Sequence, residues 1–374
     1  MRPTTIDPTS RRWDVLAGLA VILGLLLRFT GLAQESLWDD EIWSRAVVTT
    51  LALPDMLQRV AQDQHPPLYF LCLSGWAAIF GTSEAALRSL SALFGSLTLP
   101  IAWIAMRRAT TPQTAALCVV FLAVSPKHLR WSQEVRQYAL LGLAVWAMLW
   151  CAVKCCHRPS RAGWIGLSVA AACVLYTHNS GALFVFATVG AVGAWAVATT
   201  RRGVWMGLPV VLLLTALLYL PWLPHLRAQL EAGGPAYLQS AVPSLPGIAA
   251  VVWGDLSRFG AADGLDEMSR RLLVLRAASA ALVFVSYCLG CWRWSSRGGQ
   301  GMNWLLIANS IFAVLLFAGV CAMRGGMWSP KALMPAGLCA FGAGGSGPVN
   351  DALSGSCRRA LCTTDRLWHV WSLD

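Results

Sequence analysis

PPLYFLCLSGWAAIFG, residues 66–81, is apolar along its length but only 16 residues long, and two prolines open it. A helix that crosses a bilayer needs about 20 residues. The stretch can therefore cross or lie flat in the interface, and the choice decides which side of the membrane each later segment faces. If it lies flat on the outer side, Arg107-Arg108, Lys154 with Arg158 and Arg161, Arg201-Arg202, and Arg293 with Arg297 all fall on the face of Arg11-Arg12. That is the positive-inside arrangement. If it crosses, those basic groups scatter over both faces. The flat placement is expected.

Composition agrees with a chain built against lipid. Of 374 residues, 56% are hydrophobic and 13% charged, with 19 Trp and a mean hydropathy of +0.56, which reads as an integral membrane protein. The formal net charge is +11, but the basic residues sit as pairs between apolar runs and form no continuous basic face. Nucleic acid is therefore not an expected partner. Arg11-Arg12, the apolar run Val15 to Leu27 and Gly31-Leu32-Ala33 mimic a secretory signal. Arg28 interrupts that run, and an uncleaved first helix is expected.

Working outward, apolar segments lie at about 13–33, 85–106, 113–127, 138–153, 163–178, 180–199, 204–222, 272–292 and 302–322, with a last one from about 331. The fold class expected is all-α: a polytopic membrane protein of about 9–11 transmembrane helices, with short amphipathic interfacial helices in the first outer loop. Of the 18 carboxylates, 13 fall in or beside the outer loops of this arrangement and none in an internal cytoplasmic loop. Arg270, Arg271 and Arg276 run against the rule, after a loop long enough to weaken it. None of the 12 cysteines lies in the outer loops 34–66, 128–137 or 223–271, so no disulfide framework is expected there. Cys288-Leu-Gly-Cys291 has the spacing of a redox or zinc pair but sits inside an apolar segment, where two small apolar side chains are the simpler reading. Walker and HExxH motifs are absent.

Ionisable groups at a membrane boundary are costly to desolvate, so their clustering is informative. Three patches gather on the outer side: Trp38-Asp39-Asp40-Glu41, Asp63-Gln64-His65-Pro66-Pro67-Leu68-Tyr69, and Ser132-Gln133-Glu134-Val135-Arg136-Gln137-Tyr138. Each has a plain structural alternative. Asp39 is a favoured helix cap, His65 before two prolines can satisfy a local carbonyl, and Glu134 with Arg136 can be a solvated pair.

The order of six segments is what changes their weight. SLWDDEIWS, DQHPPLYFLCLSGWAAIFG, SEAALRSLSALFGSLTLP, AVSPKHLRWSQEVRQYAL, LYTHNSGALF and LPWLPHL together resemble the membrane-embedded glycosyltransferases of the GT-C superfamily, glycosyltransferase family 39, the protein O-mannosyltransferase and aminoarabinose transferase branch. The likeness runs through about residue 225. It implies sugar transfer from a polyprenyl-phosphate-linked donor on the non-cytoplasmic face of the cell membrane, to a protein, lipid or glycan acceptor, with membrane lipids as surroundings. It places the essential carboxylate at Asp40 with Glu41 as its pair, and the substrate-binding groups at His65, Glu134, Arg136, Tyr138 and His178. It also implies short helices laid on the membrane in the first outer loop.

The chemistry suits those residue types. An ionised Asp40 can take the proton of an acceptor hydroxyl and favour a developing oxocarbenium. Cations opposite it stabilise a departing lipid phosphate, with Arg136, His65, Lys127 and Arg130 as candidates and Arg136 foremost. Lys331 is a further substrate-binding candidate that could meet phosphate as a point charge, but it stands where the family often has Arg-Tyr and lacks the guanidinium fork. Paired carboxylates could also hold Mg²⁺ or Mn²⁺, and the sequence leaves metal dependence open. The domain expected is residues 1–336 with a catalytic outer loop at 34–84. The tail 337–374 loses its hydrophobicity and is either a short branch with a disordered end or an altered or truncated frame. The competing readings are a lipid or sugar transporter or flippase, for which an internal repeat and charge near the bilayer midplane would be expected, and a catalytically silent scaffold.

Overall fold

A computed structural model of the chain describes residues 8–63 and 65–231. These residues form helices throughout: α1 (Pro8–Phe29), α2 (Asp39–Thr50), α3 (Leu53–Gln62), α4 (Leu68–Phe80), α5 (Glu84–Ala109), α6 (Pro112–Val124), α7 (Pro126–Ser132), α8 (Tyr138–His157), α9 (Arg161–Thr177), α10 (Gly181–Ala198), α11 (Arg202–Tyr219) and α12 (Leu223–Glu231). The expected segments from residue 272 onward, Lys331, the Cys288–Cys291 pair and the 337–374 tail lie outside the described residues.

Local chemistry sets the helix starts. The hydroxyls of Ser83, Thr111, Ser125 and Ser160 accept backbone N–H groups at the first turns of α5, α6, α7 and α9, covering donors that a helix start leaves unpaired. Pro112 and Pro126 follow two of these caps, where a missing N–H costs nothing. The sequence places one apolar segment over about 113–127. In the structure α6 stops at Val124, because Ser125-Pro126 caps and starts the separate short helix α7.

Side-chain contacts fix how the ends are arranged. At one end, Arg107 near the end of α5 donates to Asp14 of α1 at 3.0 Å, and His157 at the end of α8 donates to the Arg108 carbonyl at 3.1 Å. At the other, Gln133 donates to the carbonyls of Leu27, Arg28 and Thr30 at the end of α1, and Tyr176 of α9 donates to Leu218 of α11 at 3.0 Å. Among the described residues, α1, α5, α6, α8, α9, α10 and α11 therefore run alternately between a basic end and an acidic end. Glu84–Ala109, Tyr138–His157 and the continuous run Arg202–Gln229 are long and apolar enough to cross a membrane, while α4, α6, α9 and α10 are shorter apolar helices.

The stretch 66–81 does not run from one end of the bundle to the other. Arg88, in the second turn of α5, donates to the carbonyls of Leu32, Glu35 and Ser36 just beyond α1. α5 thus begins at the end where α1 finishes. His65, just ahead of α4, meets Arg136 ahead of α8 at the same end. The 13-residue α4 consequently starts and finishes on one side. It turns back at Gly81, whose φ of 85° suits a residue without Cβ.

α2, α3 and α4 are held over the acidic end by an apolar cluster that includes Val47, Met56, Val60, Phe70, Leu73 and Leu87. Fully burying such a side chain contributes about 1.5–3 kcal/mol where water is the alternative. Within the bundle, where lipid is the alternative, close approach matters more. Gly95 of α5 leaves room for the Ser132 side chain, and Gly207 of α11 lies against the Trp164 ring of α9.

Candidate active site

The site forms where three loops meet: the start of α2, the link from α3 to α4, and residues 133–137 between α7 and α8. The link 133–137 is non-helical, and its residues point to different partners. Gln133 holds the end of α1. The carboxylate of Glu134 accepts from Arg130 at 3.0 Å. The N–H of Val135 donates to Glu41 at 2.8 Å. Arg136 turns into the site, and the Gln137 amide meets His65 Nδ1 at 3.3 Å.

Asp39, Asp40 and Glu41 occupy the first turn of α2, whose N-cap is Trp38. Asp39 is therefore not the cap and lies exposed. All three carboxylates face the positive end of the helix dipole, yet they separate. Glu41 is fully buried and takes Arg88 as a two-pronged ion pair, Nε to Oε1 at 3.0 Å and Nη2 to Oε2 at 2.7 Å. It also accepts the N–H groups of Trp38 and Val135. Glu41 thus ties the acidic loop to α5 and to the 133–137 link, and both its oxygens are occupied by these partners. Asp40 keeps a side chain that is 43% exposed, with Oδ2 3.8 Å from Arg136 Nη2.

Arg136 is the hub. Its side chain is 6% exposed. Nη1 donates to the Asp40 carbonyl at 3.4 Å and Nη2 lies 3.2 Å from His65 Nε2, while Nε has no hydrogen-bond partner among the described residues. The Tyr138 phenol is within hydrogen-bonding reach of the same guanidinium. The rings of His65 and His178 are 6.5 Å apart, and those of Tyr138 and His178 are 6.0 Å apart. His178 Nδ1 accepts from the Ser180 N–H and meets its hydroxyl at 2.8 Å.

Burial and the Arg136 charge keep both imidazoles neutral. Burial, then Arg136, then His178 hold His65 well below the ordinary histidine value. Burial and then Arg136 bring His178 down to about 4. Asp63 is pushed up by burial; Arg136 and Arg59 oppose that shift, and Asp40 adds to it. A neutral imidazole beside a guanidinium donates or accepts hydrogen bonds without adding charge.

Of the residues singled out in the sequence, the structure brings together Asp40, His65, Arg136, Tyr138 and His178. Glu41 and Glu134 stand beside them with their carboxylates turned to Arg88 and Arg130, and Lys331 lies outside the described residues. Lys127 is buried and Arg130 half exposed on α7. Sequence reading gave no role to Arg88, Gln133 or Gln137, and it saw Arg28 only as an interruption. Arg28 is fully buried and donates to the carbonyls of Gly24, Leu122 and Ala123, with His128 Nδ1 at 2.7 Å. Its charge sits at the negative end of α6. The available signal for Arg28 and Arg88 was an arginine inside an apolar helix, which needs a stated partner.

Among the described residues, no three His, Cys, Asp or Glu side chains are grouped as metal ligands. Asp40 and Asp63 face Arg136, and Glu41 is taken by Arg88, so the described carboxylates are not grouped as a donor set for Mg²⁺ or Mn²⁺.

Residues 64–227 match the family model for dolichyl-phosphate-mannose-protein mannosyltransferases; the match covers His65, Arg136 and His178 but begins after Asp40. No curated protein gives a significant match. Among solved structures, ArnT from Cupriavidus metallidurans in the apo state aligns with a TM-score of 0.66 at 16% identity, over 98% of this chain and 66% of that one. ArnT bound to undecaprenyl phosphate aligns at 0.63 and 15%, over 97% and 66%. The archaeal oligosaccharyltransferase AglB from Archaeoglobus fulgidus, in complex with an inhibitory peptide and a dolichol-phosphate, aligns at 0.57 and 12%, over 97% and 52%. The chain thus spans just under two thirds of the length of ArnT and about half that of AglB. Its helices are laid out as in these solved structures, and the chain has the GT-C-type fold seen in ArnT, with residues 64–227, which carry most of the site, similar to the protein-mannosyltransferase family.

Proposed function

We propose that this membrane protein is a polyprenyl-phosphate-dependent glycosyltransferase that moves a sugar to an acceptor hydroxyl on the extracytoplasmic face of the cell membrane. The observation that carries the reading is the pairing of a partly exposed carboxylate, Asp40, with the buried guanidinium of Arg136 at 3.8 Å, at the acidic end of the bundle. The undecaprenyl phosphate in ArnT and the dolichol-phosphate in AglB support a lipid-phosphate donor. The basic pairs Arg11-Arg12, Arg107-Arg108 and Arg201-Arg202 at the opposite end support the orientation.

The reaction is a single displacement with inversion. The acceptor oxygen attacks the anomeric carbon as the bond from that carbon to the phosphate oxygen breaks. Asp40 takes the acceptor proton and its charge favours the oxocarbenium-like transition state. Arg136 stabilises the negative charge gathering on the departing phosphate, and neutral His65, His178 and Tyr138 supply hydrogen bonds around it. Glu41 acts as a positioning residue through Arg88, and no step is routed through a metal.

The test is transfer from a radiolabelled polyprenyl-phosphate sugar in membranes holding the full chain. Asp40→Asn abolishes product while the protein stays inserted and expressed. Retained turnover in that variant removes Asp40 from the role of base. Movement of the labelled lipid across vesicles with no product under any donor favours a flippase. A donor screen read by mass spectrometry of the products identifies the sugar and the acceptor.

A further inference from the structure

His65 Nε2 has two neighbours that one neutral imidazole cannot satisfy at once. Arg136 Nη2, which can only donate, is 3.2 Å away. Asp63 Oδ2 is 3.4 Å from the same nitrogen, and an ionised carboxylate can only accept. A bare Nε2 pairs with Arg136 and leaves Asp63 facing a lone pair. A protonated Nε2 donates to Asp63 and gives up Arg136. Burial and the adjacent guanidinium disfavour carrying both protons.

The third neighbour suits either state. The Gln137 amide is fully buried and sits 3.3 Å from His65 Nδ1. Its Oε1 has no hydrogen-bond partner among the described residues. Turned one way the amide donates to a bare Nδ1, and turned the other way it accepts from Nδ1–H. The site therefore contains a histidine with two allowed tautomers, a buried amide that serves both, and a cation and a carboxylate that each select one.

We infer that Asp63 is a further positioning residue of the site, and that an anionic phosphate ester on Arg136 switches His65 from accepting at Nε2 to donating from Nε2 to Asp63. This rests on the reading of Arg136 as the phosphate-binding group. A phosphate oxygen competes for Nη2 with a full negative charge, and a charge-assisted bond is roughly twice as strong as a neutral one. Losing Arg136 frees Nε2 to take the proton that Nδ1 gives up through solvent, so the imidazole stays neutral and no proton is gained overall. Asp63, which loses part of the Arg136 charge when the phosphate arrives, gains the Nε2–H bond in exchange. The side chain of Asp63 is 43% exposed, at the edge of the site within reach of the Arg136 charge. There the switch fixes the His65 ring only when a donor is present.

The experiment is ¹⁵N-histidine NMR of the full chain in lipid nanodiscs, with the His65 signal assigned by its loss in His65→Gln. The probe is undecaprenyl phosphate, with undecaprenol as the uncharged control, and binding is measured in the same samples. The expected result is an unprotonated Nε2 in the free protein and with undecaprenol, and a protonated Nε2 with undecaprenyl phosphate. In Asp63→Ala the phosphate still binds, but Nε2 remains unprotonated, and transfer falls at least tenfold in kcat with the donor KM within threefold of wild type. Binding with no change of tautomer in the wild type overturns the switch and leaves the proposed function standing. A tautomer change that persists in Asp63→Ala removes Asp63 from it. Failure of undecaprenyl phosphate to bind at all, or binding that survives Arg136→Ala, overturns the phosphate role of Arg136 and the switch with it.

Discussion

The two neighbouring carboxylates of the first outer loop do different work because of their partners. Glu41 is saturated by Arg88 and two N–H groups, and removing one member of such a buried pair costs about 3–5 kcal/mol by leaving the other uncompensated. Glu41→Gln and Arg88→Ala are therefore expected to lower the thermal midpoint of the detergent-purified protein, which Asp40→Asn leaves near wild type. Arg88→Lys restores the charge without the fork and is expected to fall between them. The histidines give a pH signature. An unfolded histidine binds a proton below about 6.5, whereas folded His178 stays neutral down to about 4. Across that window the unfolded state holds more protons, so stability rises with pH and is lost on acidification. His65 and His128, held well below the ordinary value, act in the same direction. Thermal melts between pH 7 and pH 4.5 are expected to show a falling midpoint, with a shallower fall in His178→Gln.

Among the elements, α4 decides the topology, and the length of its apolar stretch already marked it as doubtful. Single cysteines at Glu35→Cys and Thr82→Cys bracket α2–α4, and a third at Arg201→Cys marks the basic end. A membrane-impermeant maleimide on sealed vesicles is expected to label the first two from one side and Arg201→Cys from the other. Labelling of Glu35→Cys and Thr82→Cys from opposite sides would mean that α4 crosses. Length and basic pairing made this placement legible from sequence, because both are properties of the chain read in order. The break between α6 and α7 was not read out, although its Ser-Pro signal is present, since the apolar run passes across it. Nor could sequence order reveal that Arg88 closes on Glu41, 47 positions earlier, because such a pair exists only once α5 is stacked beside the end of α1.

For the molecule as a whole, the bundle separates its charges: of the described carboxylates, Asp14 sits at the basic end, paired with Arg107, and the rest gather at the other. A lipid phosphate entering that end meets Arg136, and a ligand that binds only the folded state stabilises it by RT ln(1 + [L]/Kd), about 2.7 kcal/mol at a hundredfold excess over Kd. Undecaprenyl phosphate is expected to raise the thermal midpoint of the full chain, and Arg136→Ala to abolish that rise while undecaprenol has no effect in either. The sequence by itself determined the membrane class, the alternation of basic and acidic ends, and the small set of residues from which the site is drawn, because hydropathy, charge order and motif spacing are local quantities. Only the tertiary structure decided which acidic residue is available and which is taken, that Asp63 and Gln137 belong with His65, and that a buried Arg28 rests on the carbonyls of another helix. Each of these depends on which groups lose water and which partner replaces it, and that is set by helices brought together in space.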